Sequence, residues 1–186
     1  ATAATTYATL ASPTLTGTPL STTAAADTNT TQIATTAYVV GQGYLKTSST
    51  GANLTRPILT SAFETVTVSA TAATGTVNVD IVTSAVKYYT SNATADWTFN
   101  FRGDGSTTLN SILSTGQSVT LALLVTNGST AYYPTAYQID GSSVTPKWQT
   151  GNAPSSGNAS SIDVYTFAVV KTASATFTVL ASQTKY

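Results

Sequence analysis

The sequence predicts an all-β protein: a C-terminal antiparallel β-sandwich of jelly-roll type over residues 61–186, behind an extended N-terminal stem over residues 1–60 that contains one short helix. Three observations carry this expectation. From Phe63 onward, apolar and polar residues alternate with period two in about eight short runs spaced about 10–15 residues apart. Thr is the commonest side chain, about 41 of 186 residues, and its branched Cβ suits the exposed face of a strand. The first 56 residues are by contrast low in complexity, built from Thr, Ala, Ser, Gly and Pro with scattered anchors at Tyr7, Leu10, Leu15 and Leu20.

The stem comes first in the chain. Ordering a residue costs roughly 1–2 kcal/mol of backbone entropy, so a tract of this length needs on the order of 50–100 kcal/mol of compensation. A buried large apolar side chain returns only about 1.5–3 kcal/mol. The few anchors present cannot hold the tract within one chain, and neighbouring copies are expected to order it.

Within the stem, Asp27 to Leu45 holds one helical seam. Ile33, Ala37, Val40 and Tyr44 recur at spacings of four, three and four, the rhythm of helices packed on one another. Asn29 is the expected N-cap, Gln32 completes a capping box, and Gly41 or Gly43 ends the element, giving a helix over about 29–42 with its regular part from Thr30 to Gly41. At about 18 Å long it is too short to stand alone in water. Two arrangements satisfy it: docking on its own domain, or a short parallel bundle of identical helices at the neck of an oligomer.

The body begins with strands at Phe63 to Ala70 and at Val77, Val79 and Ile81, expected to pair as an antiparallel hairpin. Asp96 to Arg102 sets Trp97, Phe99 and Phe101 on one side and Thr98, Asn100 and Arg102 on the other. Leu109, Ile112 and Leu113 have helical spacing and predict one turn. Gln117 to Thr126 is apolar on both faces, the mark of a central strand or of one covered by a neighbouring subunit. Asn127-Gly128 reads as a hairpin turn, with Thr130 to Ile139 as the partner strand, bulged or at an edge because of Pro134. Val144 to Gln149 is another short strand, Thr150 to Ser161 a polar loop, and Ile162 to Lys171 with Ala175 to Ser182 the closing pair.

Composition narrows the function classes. Only 8% of residues are charged, against about a quarter in a typical domain, as in sparingly charged extracellular or virion-type proteins. Seven acids balance seven bases without a run of either, so no electrostatic footprint for nucleic acid is present. No apolar run approaches the roughly 18–20 residues of a membrane span, and ATAATTYATL lacks the basic start and apolar centre of a signal peptide. The absence of Met predicts that Ala1 is either a processed terminus or the start of the ordered part of a longer protein, the second implying a further N-terminal portion.

The chain has no His and no Cys, which removes the Ser-His-Asp triad, thiol nucleophiles and nearly all zinc sites. Acid pairs remain to be weighed. Glu64 and Asp80 across the first expected hairpin, or Asp96 and Asp104 flanking a strand, have the residue types of a glycosidase pair, but equally those of solvated strand and turn acids. Asp104 and Asp140 are candidate Ca²⁺ ligands that lack the alternating oxygen run of a calcium loop. Arg102-Gly103-Asp104 spells a receptor-binding tripeptide and also suits a turn. The Asn-x-Ser/Thr sequons at Asn29, Asn53, Asn92, Asn127 and Asn158 are expected by chance where Ser and Thr abound. The protein is expected to be no enzyme, with no cofactor and no metal.

Aromatic residues are the candidate recognition groups. Tyr132, Tyr133 and Tyr137 are expected on one strand, and because neighbours point to opposite faces, Tyr132 cannot be buried on the same side as Tyr133 and Tyr137. With Trp148 they form a candidate surface for a sugar ring or a protein partner, the alternative being core or intersubunit packing.

One stretch resembles a known family. Ser12-Pro13-Thr14-Leu15-Thr16-Gly17-Thr18-Pro19, followed by Ala24-Ala25-Ala26-Asp27-Thr28-Asn29-Thr30-Thr31-Gln32-Ile33-Ala34-Thr35-Thr36-Ala37-Tyr38-Val39, closely resembles a repeat of tail fibres and related structural proteins of tailed bacteriophages. The segments NFRGDGSTTLNSILSTGQSVTLALLVTNGSTAYYPTAYQIDG and NASSIDVYTFAVVKTASATFTVLASQTKY also look like a domain of structural proteins of phages of aquatic bacteria. The resemblance implies a virion structural protein, usually trimeric, with an extended connector and a helix at the threefold axis. Its partners would be two further copies, other virion proteins and a host-surface glycan or protein. A tail or appendage fibre is the first expectation, and a capsid fibre or cement (decoration) protein the second. Readings of another class are a polysaccharide depolymerase and a secreted adhesin.

Overall fold

The computed structural model describes residues 17, 20–25, 34–41 and 63–186. The chain divides into two compact units, Ala1–Leu59 and Thr60–Tyr186.

In the first unit the described helix α1 spans Thr36–Gly41. Thr35 Oγ1 accepts from the Tyr38 N–H at 3.1 Å and the Thr35 carbonyl from the Val39 N–H at 3.0 Å, so Thr35 is the cap. The expected start at Thr30 is corrected accordingly: Ala34 and Thr35 are not helical. A Thr hydroxyl that binds the first turn's N–H groups favours the non-helical cap conformation over the helix interior. Asn29, Gln32, Ile33 and Tyr44 lie outside the described residues, while Ala37 is exposed and Val40 is helical.

The second unit is all-β. Its strands are β1 (Val66–Ala72), β2 (Gly75–Asp80), β3 (Val86–Ser91), β4 (Trp97–Arg102), β5 (Ser118–Thr126), β6 (Pro134–Ile139), β7 (Ser142–Ser143), β8 (Lys147–Trp148), β9 (Ile162–Ala173) and β10 (Thr176–Lys185), with one helical turn, α2 (Leu109–Ile112). A six-stranded sheet runs β1-β3-β5-β9-β10-β8 and a four-stranded sheet β2-β4-β6-β7.

The strand pairing departs from the antiparallel jelly-roll expectation. β1, β3 and β5 pair in parallel, as do β2, β4 and β6, because the chain steps from one sheet to the other after every strand. Antiparallel pairing enters only with β7, β9 and β10. Neither expected early hairpin forms: β1 and β2 lie in different sheets, as do the strands on either side of Asn127-Gly128. The reason lies at the corners. Ala73 and Ala93 are buried between strands, and the Ala93 N–H donates to the Thr126 carbonyl at 2.9 Å. Ala73 is small enough to sit inside the β1–β2 corner, and at Asn127-Gly128 the Asn side chain is drawn inward onto Asp163, so neither turn folds back beside its own strand.

Other expectations match. β5 lies inside its sheet and β9 pairs with β10 along its length. A bulge beside Pro134 shifts the β4–β6 register, and α2 forms where the helical spacing lies.

The inner faces of the two sheets meet in one core. Phe99 of β4 lies 5.8 Å from Tyr165 and 5.7 Å from Phe167 of β9, edge-on to both, and 6.2 Å from Tyr137 of β6. Trp97 meets Phe99 and Tyr165 in the same edge-on manner, the geometry that the ring quadrupole favours. At one end of β9 the buried Lys171 donates to the carbonyls of Asn110 at 2.6 Å and Leu113 at 2.8 Å, satisfying the last turn of α2 with a cation.

Candidate functional site

β8 is a two-residue edge strand paired in parallel with Leu180 and Ala181 of β10. Trp148 stands opposite Ala181, which faces the core, so its ring turns inward over the rim. It meets Tyr137 edge-on at 5.5 Å and Phe167 at 6.1 Å and stays half-buried. A groove of about 660 Å³ runs along one side of the indole, bordered by Thr135, Ala136, Tyr137 and Ser143. A second, of about 420 Å³, runs along the other side, bordered by Thr120, Gln149, Thr166 and Ser182. Lys147 reaches both. An indole edge ringed by hydroxyls, an amide and one ammonium suits a ligand that is apolar on its face and polar at its rim, as a sugar is.

The other aromatic candidates are placed differently from expectation. β6 begins at Pro134, so Tyr132 and Tyr133 precede it and only Tyr137 lies on the strand. Tyr137 belongs to the core: it is buried, and its hydroxyl donates to the Pro134 carbonyl at 3.0 Å. Burial, and then the nearby Tyr133, raise its pKa. Tyr132 packs partly against the core, its carbonyl accepting from Asn127 Nδ2 at 3.0 Å. Tyr133 is half-buried and its N–H donates to Asp96 Oδ1 at 3.0 Å. Pro134 stops the strand early because it has no N–H to give to the ladder. Of the four aromatics, Trp148 is the one that walls both grooves.

The acids serve the local backbone or a neighbouring base. Asp80 pairs with Arg102, Nε to Oδ1 at 2.6 Å, on the outer side of β2 and β4. Glu64 is exposed ahead of β1, and because β1 and β2 are in different sheets no hairpin brings it opposite Asp80. Asp104 Oδ1 accepts from the N–H groups of Ser106 and Thr107, both at 2.7 Å. Those bonds, with the Arg102 charge as a smaller cause, lower its pKa. The tripeptide Arg102-Gly103-Asp104 is therefore a turn: its Arg is held by Asp80 and its Asp by the following backbone. Asp140 accepts from the N–H groups of Leu109 at 2.7 Å and Asn110 at 3.0 Å, so it caps α2. Among the described residues, no group of three or more acids is placed to hold a metal ion. Asn127 is almost fully buried, which removes it as a sugar acceptor.

A buried polar cluster escaped the sequence reading. Asp163, with no exposed surface, accepts at Oδ2 from Asn127 Nδ2 at 3.0 Å, from the Asn158 N–H at 2.9 Å and from the Tyr165 hydroxyl at 3.5 Å. Burial is the largest influence on its carboxyl and raises the pKa, against a smaller pull down from those donors and from Lys185. Burial, and then the Asp163 charge, raise the pKa of Tyr165 as well. Parity was the available signal: Asp163, Tyr165, Phe167, Val169 and Lys171 occupy alternate positions of one strand, so an acid and a lysine share the core face with two rings and a valine.

Comparisons of the chain with protein-family models, with curated proteins and with solved structures found no match.

Proposed function

We propose that this chain is a structural protein of a tailed-bacteriophage particle: a trimeric tail or appendage fibre whose stem aligns three copies and whose β-sandwich faces outward for particle decoration or adhesion to a host surface. The observation that carries the reading is the worded resemblance of Ser12 to Pro19 and Ala24 to Val39 to the phage fibre repeat. Physical considerations support it. The stem has too few large apolar side chains to order itself, so identical copies supply the missing contacts. The sparse charge and abundant Thr suit a β-rich particle surface, and the Trp148 rim offers a place for a host glycan or protein.

The test is to raise antibodies against the purified chain and image gold-labelled particles of the phage that encodes it. Label at the tail or its appendages is the expected result. Label over the capsid shell would replace the tail fibre with a capsid fibre or cement protein, and particles without label would overturn the assignment to a virion.

A further inference from the structure

The two sheets differ in what they turn outward. On the four-stranded sheet the outward positions are polar: Asn78, Asn100, Gln138 and Ser143 stand side by side across β2, β4, β6 and β7, with Asn100 Nδ2 donating to Asn78 Oδ1 at 2.8 Å. The six-stranded sheet is more apolar. One cross-strand row on its outer side reads Val68, Tyr88, Leu124, Val164 and Thr184. The next reads Val66, Val86, Ala122, Thr166 and Ser182, and a third Thr120, Ala168, Leu180 and Lys147. Among these rows the first charged side chain is Lys147, beside Leu180 at the rim. Within one subunit Val68 is 64% exposed, Leu180 49% and Val66 43%.

We propose that this outer face of the six-stranded sheet is where copies of this chain pack on one another, so that the bodies as well as the stems hold the assembly together. The inference deepens the multi-copy assembly proposed above and rests on it.

Three considerations select a second copy as the occupant. Six strands at about 4.8 Å spacing, averaging about eight residues at about 3.3 Å each, give a footprint on the order of 750 Å². That is near the roughly 800 Å² per partner of a stable interface. Next, the face carries almost no charge, so identical faces can meet without repulsion, and Thr166 and Ser182 bond to each other at 2.5 Å, which lowers the cost of drying them. Finally, the stem is a poor cover by composition, because its large apolar side chains are few.

The chain has no cysteine, which gives a clean experiment on the full-length protein. Val68→Cys and Leu180→Cys are each labelled with a maleimide at concentrations above and below assembly, beside Val82→Cys in the β2–β3 turn, where the parent side chain is 60% exposed. Light scattering reports the mass and circular dichroism the fold. Assembly should slow labelling at 68 and 180 by about tenfold or more, with full recovery on dilution and no change at 82. An assembled protein whose three sites react alike would overturn this inference and leave stem-driven assembly standing. Protection that survives dilution to single subunits would mean that the chain's own residues cover the face, which also overturns it. A protein that is a single subunit at every concentration would overturn both this inference and the trimeric fibre. Val68→Glu with Leu180→Glu gives a second readout: dissociation should shift to higher concentration, whereas Thr76→Glu on the outer side of the other sheet should not move it.

Discussion

Asp163 accepts a hydrogen bond from Asn127 Nδ2 at 3.0 Å with both side chains sealed inside the body, and each leaves one side-chain oxygen without a partner among the described residues. Burial holds the Asp163 carboxyl above its usual range, so the folded protein keeps a proton at pH values where the unfolded chain, with a pKa of about 3.9, has lost it. The stability this contributes is complete below about pH 3.9 and is lost as pH rises through the folded-state value. Asp163→Asn removes that dependence. Urea unfolding of both proteins between about pH 4 and 7 should show the gap moving in the variant's favour as pH rises. A gap that stays constant would mean the carboxyl titrates normally.

Gly157 closes the same cluster. A Cβ there would collide with the Tyr132 carbonyl and come within 2.7 Å of Asn127 Nδ2 and 2.8 Å of Asp163 Oδ2. Gly157→Ala should therefore cost about 1–3 kcal/mol, the usual range for forcing atoms into a filled space. Chemical denaturation measures it, and a loss below about 0.5 kcal/mol would show that the 150–161 loop gives way freely.

Trp148 covers the rim between Tyr137 and Phe167 while forming a wall of both grooves. Because it is half-buried, Trp148→Ala should cost less than the roughly 3–5 kcal/mol of a fully buried Trp, leaving a folded body. Binding of the fluorescent full-length protein to host cells should fall sharply. Undiminished binding by a folded variant would remove the Trp148 rim from the proposed adhesive role.

The stem prediction concerns Ile33, which lies outside the described residues. A carboxylate buried where copies meet is costly, so Ile33→Asp should weaken trimerisation while the circular dichroism of the β-body persists. Light scattering that still reports a trimer would rule out the Ile33, Ala37, Val40 and Tyr44 seam as the main source of assembly. Such a result, together with slow labelling at positions 68 and 180, would assign that role to the sheet face.

Much of the body was legible because alternation fixes which side chains share a face. The Trp97, Phe99 and Phe101 stripe and the β9–β10 pair followed from it directly. Partners were not legible, since a two-residue period is the same for parallel and antiparallel strands. Asn127-Gly128 carries the wording of a hairpin, but Asn127 is drawn inside by Asp163 and the chain passes to the other sheet. Tyr132 and Tyr133 were assigned to a strand that Pro134 begins. The helix start was displaced by a cap, Thr35, that a Thr-rich stretch offers several times over.

The winding of the body also sets the order of events as the chain is made. β1 pairs with β3 and β3 with β5, while β9, synthesised after all three, lies between β5 and β10 and carries one wall of the core. A nascent chain emerging from the ribosome therefore lacks the Tyr165 and Phe167 rings that pack on Phe99 and Phe101 until β9 follows. Contacts so distant in sequence make folding slow, and they leave sticky half-built coils open meanwhile. Until β9 and β10 are in place the six-stranded sheet has no complete outer face, so the matching of copies proposed above has to wait for those two strands.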